Sequence, residues 1–331
     1  MYEFVGKALA NCVWGTGMFV TVTSGNVLAV PLLTIIVSVS ELLTTTGLGD
    51  AATKRPMPCA PAREQIKRAS ATTSSVRKKV LTSSHVNEPG IKRREDAKVS
   101  STCNAEEIRA AQSLRFEIFN IELNEGLEES YATGLDEDPF DAVCDHLIVE
   151  HVPSKKIVGT YRLQTGLSAA QNLGYYSAQE FEFQAFEPLR AEIVELGRAC
   201  VHRNHRNLVV LGLLWKGIAD YAKNRGAHYL FGCSSITSQD AAVGASVYSE
   251  LCRKHLASVE WRTKPLPAYD CSLAQLAAEP VEIPKLLRAY LSLGAKICGP
   301  PALDRHFKTI DFLTMLDLEA MPPLARQRFL G

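Results

Sequence analysis

Cysteine pairing signals are missing from this 331-residue chain. Its nine cysteines are odd in number, with no CxxC pair and no Cys/His ligand spacing, which argues against a disulfide framework and a zinc site and fits a reducing, cytoplasmic compartment. An excess of charge is missing too. The 36 Lys and Arg balance 36 Asp and Glu, so bulk electrostatics point neither to nucleic acid nor to an acidic substrate. There is no glycine-rich loop, no nucleophile-elbow pattern and no internal repeat. A serine triad built from Ser234 or Ser235 with His146 or His228 therefore has no support in spacing.

What is present is unevenly spread. With 46% hydrophobic residues there is material for one globular domain plus an extension. Residues 18–40 carry no charge and are long enough to cross a bilayer, but they hold polar residues and the Pro31 break and lack a cleavage pattern. A span and an interfacial segment both remain open for this leader, residues 1–50. Residues 51–100 hold 12 Lys and Arg against 4 Asp and Glu, with few large apolar side chains. Residues 51–103 read as a basic disordered linker, either attracted to an anionic membrane surface or simply solvated. Order is expected from Asn104 onward, giving a third segment, 104–331.

In that segment NAEEIRAAQSLRFEIF offers an N-cap at Asn104 and helical apolar spacing. Residues 121–145 then contain nine acids and no Lys or Arg, and read as a loop. HLIVEHV-PSKK-IVGTYRLQ reads as a hairpin, 191–202 as a strand, and the run after Asn207 as a helix stopped by Gly226. HYLFGCS and TIDFLTMLDL read as strands, with helices from Asp240 and around PKLLRAYLSLG. The order is α+β.

The stretch VELGRACVHRNHRN, 194–207, puts Glu195 and Arg198 inside a buried run, where an unpaired charge costs several kcal/mol. A carboxylate in such a run can orient a nucleophile and accept its proton, which makes Glu195 the candidate base or water-positioning group. A regular strand would separate Glu195 from Arg198, and a bulge at Gly197 would bring them together as a pair. The same two residues also fit a structural ion pair. Cys200 and Cys233 fit core packing better than covalent catalysis. Arg203, His205 and Arg206 surround a strand-to-helix junction that suits an anion, with His205 expected to face solvent.

The segment from about 104 to 318 resembles the GNAT superfamily of N-acyltransferases, in the branch of ornithine N-alpha-acyltransferases and N-acyl amino acid synthases, and more distantly acyl-homoserine-lactone synthases. The pieces that carry the resemblance are LRFEIF, DEDPFDAVCDHL, IVGTYRL, VELGRACV, LLWKGIADY, YLFGCSS and YLSLGAKICGPPALDRHFKTIDFLTMLDL. It implies a GNAT-like central mixed sheet flanked by helices. It implies transfer of a long acyl chain, with or without a 3-hydroxyl, from acyl carrier protein to the α-amine of an amino acid in lipid biosynthesis, with ornithine the first acceptor to test and no bound cofactor or metal. It also implies that Arg115, Asp138, Asp141 and Arg162 form an electrostatic cluster shaping the amino-acid pocket, and that Tyr290 is a candidate acid for the leaving thiolate.

The superfamily's pyrophosphate loop is absent, since 203–212 read RNHRNLVVLG, a departure that an enzyme taking its acyl chain from the carrier protein tolerates. Arg203, Arg206 and Lys216 are the basic residues placed to steer that acidic partner. A homoserine-lactone synthase is an alternative, weakened by the lack of any Trp between Trp14 and Trp215. A non-catalytic, membrane-docked acyl-binding protein is another.

Overall fold

The computed structural model of the protein describes residues 94–102 and 104–330. The apolar leader, residues 1–50, and the basic segment up to residue 93 lie outside them. Among the described residues no helix is long and apolar enough to cross a membrane.

Among the described residues eight strands form one sheet: β1 (Ala97–Thr102), β2 (Asp145–His151), β3 (Lys156–Thr165), β4 (Ile193–Val201), β5 (Tyr229–Ile236), β6 (Lys296–Ile297), β7 (Ala302–Asp304) and β8 (Thr309–Asp317). Their order is β1-β2-β3-β4-β5-β8-β6, with β7 also paired to β8. The helices are α1 (Ala105–Phe116), α2 (Ser130–Thr133), α3 (Gly166–Gln171), α4 (Leu208–Asn224), α5 (Ala241–His255), α6 (Lys285–Ser292) and α7 (Pro323–Leu330). This is the expected mixed sheet flanked by helices.

Order begins earlier than the composition break at Asn104. Ala97–Thr102 pairs antiparallel with β2 as an edge strand, so the last residues of the basic segment belong to the sheet. Asn104 does cap α1, accepting from the Glu106 N–H at 2.8 Å, while Glu107 turns to Thr102 instead of closing a capping box. Two residues hold their helix ends as expected. Asn207 accepts from Val209 and Val210 N–H, and Gly226 takes a left-handed φ of 68° after α4.

Two apolar layers sandwich the sheet. On one face Leu147, Val149, Tyr161, Leu163, Val194, Leu230 and Leu316 pack against Val210, Leu214, Ile218 and Ala222 of α4. On the other, Ile193, Phe231, Leu313 and Met315 meet Phe181, Phe183 and Phe186 from the segment before β4. Burying each such side chain contributes about 1.5–3 kcal/mol.

One feature of this sheet places the site. β4 and β5 run parallel but pair only at Ile193↔Tyr229, Val194↔Leu230 and Glu195↔Phe231. Beyond Glu195 they diverge, leaving the facing backbone polar groups of β4 without a strand partner. Gly232 stands at that divergence because a Cβ there would come within 2.3 Å of the Leu196 carbonyl oxygen.

Candidate active site

A cavity of about 360 Å³ runs through the cleft between β4 and β5. From the α4 face it is lined by apolar side chains, among them Leu196, Trp215, Leu230 and Leu316, and by Tyr290. From the opposite face it is lined by Ser177 and by the carboxylates Glu125, Glu180, Glu195, Asp304 and Asp311. A polar amine and an apolar chain can therefore meet in the cleft from opposite sides.

The bulge in β4 is real, but it falls one residue later than expected and does a different job. Arg162 pairs with Gly197 and Thr160 with Cys200, so the extra residue lies between Gly197 and Cys200. Arg198 absorbs it with a left-handed φ of 49°. The bulge turns Arg198 toward the sheet face that carries Glu195, yet the two do not form the expected pair. Glu195 accepts from Gln164 Nε2 (2.6 Å) and from the backbone N–H of Tyr176 (2.8 Å) and Ser177 (2.7 Å), fastening the loop after α3 to the strand. Arg198 goes to Asp136 and Asp138. Tyr176 links the two groups, since its hydroxyl accepts from Arg198 Nη1 at 3.2 Å and its ring lies 4.9 Å from that guanidinium.

Arg115, Asp138, Asp141 and Arg162 are brought together as expected, and two further residues complete a closed ring of alternating charge. Its contacts run Arg115–Asp136 (2.7 Å), Asp136–Arg198 (3.2 Å), Arg198–Asp138 (3.0 Å), Asp138–Arg162 (2.6 Å), Arg162–Asp141 (3.0 Å) and Asp141–Arg115 (2.6 Å). Arg115 and Asp136 are fully buried. Burial raises the Asp141 carboxyl, but the Arg115 charge and hydrogen bond, aided by Arg162, overcome that and hold it well below the usual carboxylate range. Asp138 and Asp141 also close a capping box on the turn Pro139–Ala142, which sets the ring's geometry locally. Asp136 was hidden among the nine acids of this loop. Of the ring, Arg162 and Arg198 line the cavity, and the others form the wall behind them.

Burial raises the Glu125 carboxyl to about 7, and the Asp311 charge adds to that while Thr237 opposes it. Asp311 rises to about 6 through burial and the nearby Asp304, and Glu180 is pushed well up by burial and by Asp311 and Asp304. This carboxylate group was missed in the sequence, although Asp311 inside TIDFLTMLDL carries the same signal as Glu195, a charge in a buried strand. Glu180, Asp304 and Asp311 also form an acidic trio close enough to share one cation.

The remaining candidates are dispersed. Arg206 is bidentate to Glu122 at 2.6 and 2.9 Å, Lys216 pairs with Asp220 at 3.2 Å, and Arg203 is exposed at the start of the turn before α4. His205 is buried, against the solvent-facing position expected for it, because it packs on the rings of His151 and His202. Asn207 caps the first N–H groups of α4, leaving less room for an anion there. Burial pushes the Cys200 and Cys233 thiols up, away from the thiolate form. His146 contacts the Asp141 carbonyl and His228 pairs with Glu192, so neither serves a serine. The Tyr290 hydroxyl lies 2.5 Å from that of Tyr161, and burial raises it well above the usual phenol range.

Residues 114–216 match the model of the acetyltransferase (GNAT) domain. The L-ornithine N(alpha)-acyltransferase of Brucella abortus (strain 2308) is 34% identical over 227 residues, 64% of this chain and 81% of that protein. The enzyme of the same name from Agrobacterium fabrum is 32% identical over 233 residues, 66% of this chain and 80% of its own. Among solved structures, an N-acyl amino acid synthase from uncultured soil microbes aligns with a TM-score of 0.42 at 14% identity, over 70% of this chain and 97% of that one. The chain belongs to the L-ornithine N(alpha)-acyltransferase family within the GNAT acyltransferases, and it is an N-acyltransferase.

Proposed function

We propose that the protein moves a long fatty acyl chain from acyl carrier protein to the α-amine of ornithine. The observation that carries this reading is the two-faced cavity of the β4/β5 cleft, apolar toward α4 and carboxylate-lined opposite. The relatives named for ornithine supply the acceptor. The capped α4 N-terminus, without a glycine-rich loop, favours the carrier protein over coenzyme A as donor. In the reaction the amine nitrogen attacks the thioester carbon, the C–S bond breaks, and one amine proton is lost. Backbone groups of β4 left unpaired by the divergence can polarise the thioester carbonyl. Glu195, at the last β4–β5 pair, accepts or relays the amine proton, and the Tyr290 phenol donates to the departing thiolate.

The ion ring, with its charges spent on one another, holds the wall that presents Arg162 and Arg198. The 94–330 segment is the catalytic domain. Mass spectrometry of lipids from cells expressing the chain tests the proposal: a new N-acylornithine supports it, and acyl-homoserine lactone or no new acyl amino acid refutes it.

A further inference from the structure

The polar half of the cavity has too many carboxylates for its cations. Five face it, while its two guanidiniums, Arg162 and Arg198, are already committed to Asp136, Asp138 and Asp141. Four of the five come from separate segments: Glu125 follows α1, Glu180 precedes β4, Asp304 ends β7 and Asp311 lies on β8. Asp304 is fixed by His306 and Phe307 N–H on its Oδ1, at 2.7 and 3.0 Å. Glu125 is fixed by the Thr237 hydroxyl. Asp311 accepts from Thr309 on Oδ2 at 2.9 Å, with the Ser235 hydroxyl and the Glu180 carboxyl beside it, but its Oδ1 takes no hydrogen bond of good geometry although the residue is only 3% exposed. A buried carboxylate oxygen without a donor calls for one.

We infer that Glu180, Asp304 and Asp311, with Glu125 beside them, hold the side-chain ammonium of the acceptor and so select a diamino acid over a neutral one. The inference rests on the reading that the acceptor is acylated at its α-amine. One carboxylate oxygen from each of the three lies within 4.8 Å of the others, close enough for a single cationic group to reach all three. An ammonium brings three N–H donors, one for each of them. Ornithine carries that second ammonium three methylenes from its α-carbon, which lets the α-amine reach the cleft at Glu195 while the other end is held. Arg198 is the cation whose charge acts on Glu180, and its ties to Asp136 and Asp138 keep it from filling the place.

The test compares ornithine with norvaline, which has the same skeleton without the side-chain amine, in the full-length wild type and in Asp311→Asn and Glu180→Gln. The ratio of kcat/KM for ornithine over norvaline is expected to be about 100 or more in the wild type. It should fall at least tenfold in each variant, with the loss carried by KM for ornithine. Ornithine, and not norvaline, should raise the Tm of the wild type and fail to raise that of the variants. The variants should fold, because each amide keeps the size and hydrogen-bonding reach of the carboxyl it replaces. An unchanged ratio in the variants, equal use of both amino acids by the wild type, or a Tm raised by calcium or magnesium but not by ornithine overturns the inference. A wild type stabilised by ornithine that nevertheless forms no N-acylornithine would sink the proposed reaction while leaving the ammonium site standing.

Discussion

Arg198 is the residue at which strand geometry and electrostatics can be separated. It closes the ring through Asp136 and Asp138, with its side chain only 8% exposed. Arg198→Ala leaves two guanidiniums to balance three buried carboxylates. Asp136 keeps Arg115 and Asp138 keeps Arg162, so the ring opens into a chain with one uncompensated negative charge. Breaking a buried pair in this way costs about 3–5 kcal/mol. Backbone strain works the other way, since a side chain at a φ of 49° costs roughly 1 kcal/mol that glycine avoids. Arg198→Gly should therefore be about 1 kcal/mol more stable than Arg198→Ala, with losses relative to the wild type of about 2–4 and about 3–5 kcal/mol respectively. Adding Asp136→Asn to Arg198→Ala removes the stray charge and should recover part of the loss. Urea unfolding of the four proteins measures these differences. A loss under about 1 kcal/mol for Arg198→Ala, within the range of exposed pairs, or an alanine variant more stable than the glycine one, would refute the ring and bulge as described.

Glu195→Gln should lower turnover about a hundredfold or more, and it should also lower Tm, because its amide NH₂ would face the Ser177 N–H where Oε1 now accepts. Normal turnover in that variant would move the proton-accepting role to another group. In Glu125 the folded carboxyl keeps a proton that the unfolded chain releases between pH 4.5 and about 7, so stability falls as pH rises through that window. The loss amounts to about 3 kcal/mol at most, and Glu125→Gln should remove it, seen as a smaller drop in Tm between pH 5 and 8 than the wild type shows. Deleting residues 1–93 should leave an active, folded enzyme, while deleting 1–103 removes β1, bares the β2 edge and should cause aggregation on size-exclusion chromatography. Arg203→Glu/Arg206→Glu should raise KM for acyl carrier protein more than it changes kcat, with the effect shrinking at high salt, and equal KM values would dismiss the steering role.

The hairpin, α4 and the central strand were legible because each carries its own periodicity and end signals within a short window. The ring was half legible. Arg115, Asp138, Asp141 and Arg162 sit in motifs, whereas Asp136 is one acid among nine and only the fold singles it out. β1 was not legible because AKVSST has little apolar content and follows a basic stretch, and it is a strand only because β2 offers an edge. The carboxylate group facing the cleft comes from four segments that span Glu125 to Asp311, so no local pattern could assemble it. His205 failed for a related reason: a basic-looking turn hid a ring packed against two other histidines.

The most direct measurement of the central claim is a competition assay with the purified full-length chain. It receives a mixture of the twenty protein amino acids and ornithine, with a long-chain acyl carrier protein as donor in one reaction and the matching acyl coenzyme A in another, and mass spectrometry identifies the acylated amine and its position. N-acylornithine modified at the α-nitrogen, formed faster from the carrier protein, is the predicted result. Acylation of a different amino acid, acylation at the side-chain nitrogen, or faster use of the coenzyme A thioester would contradict it.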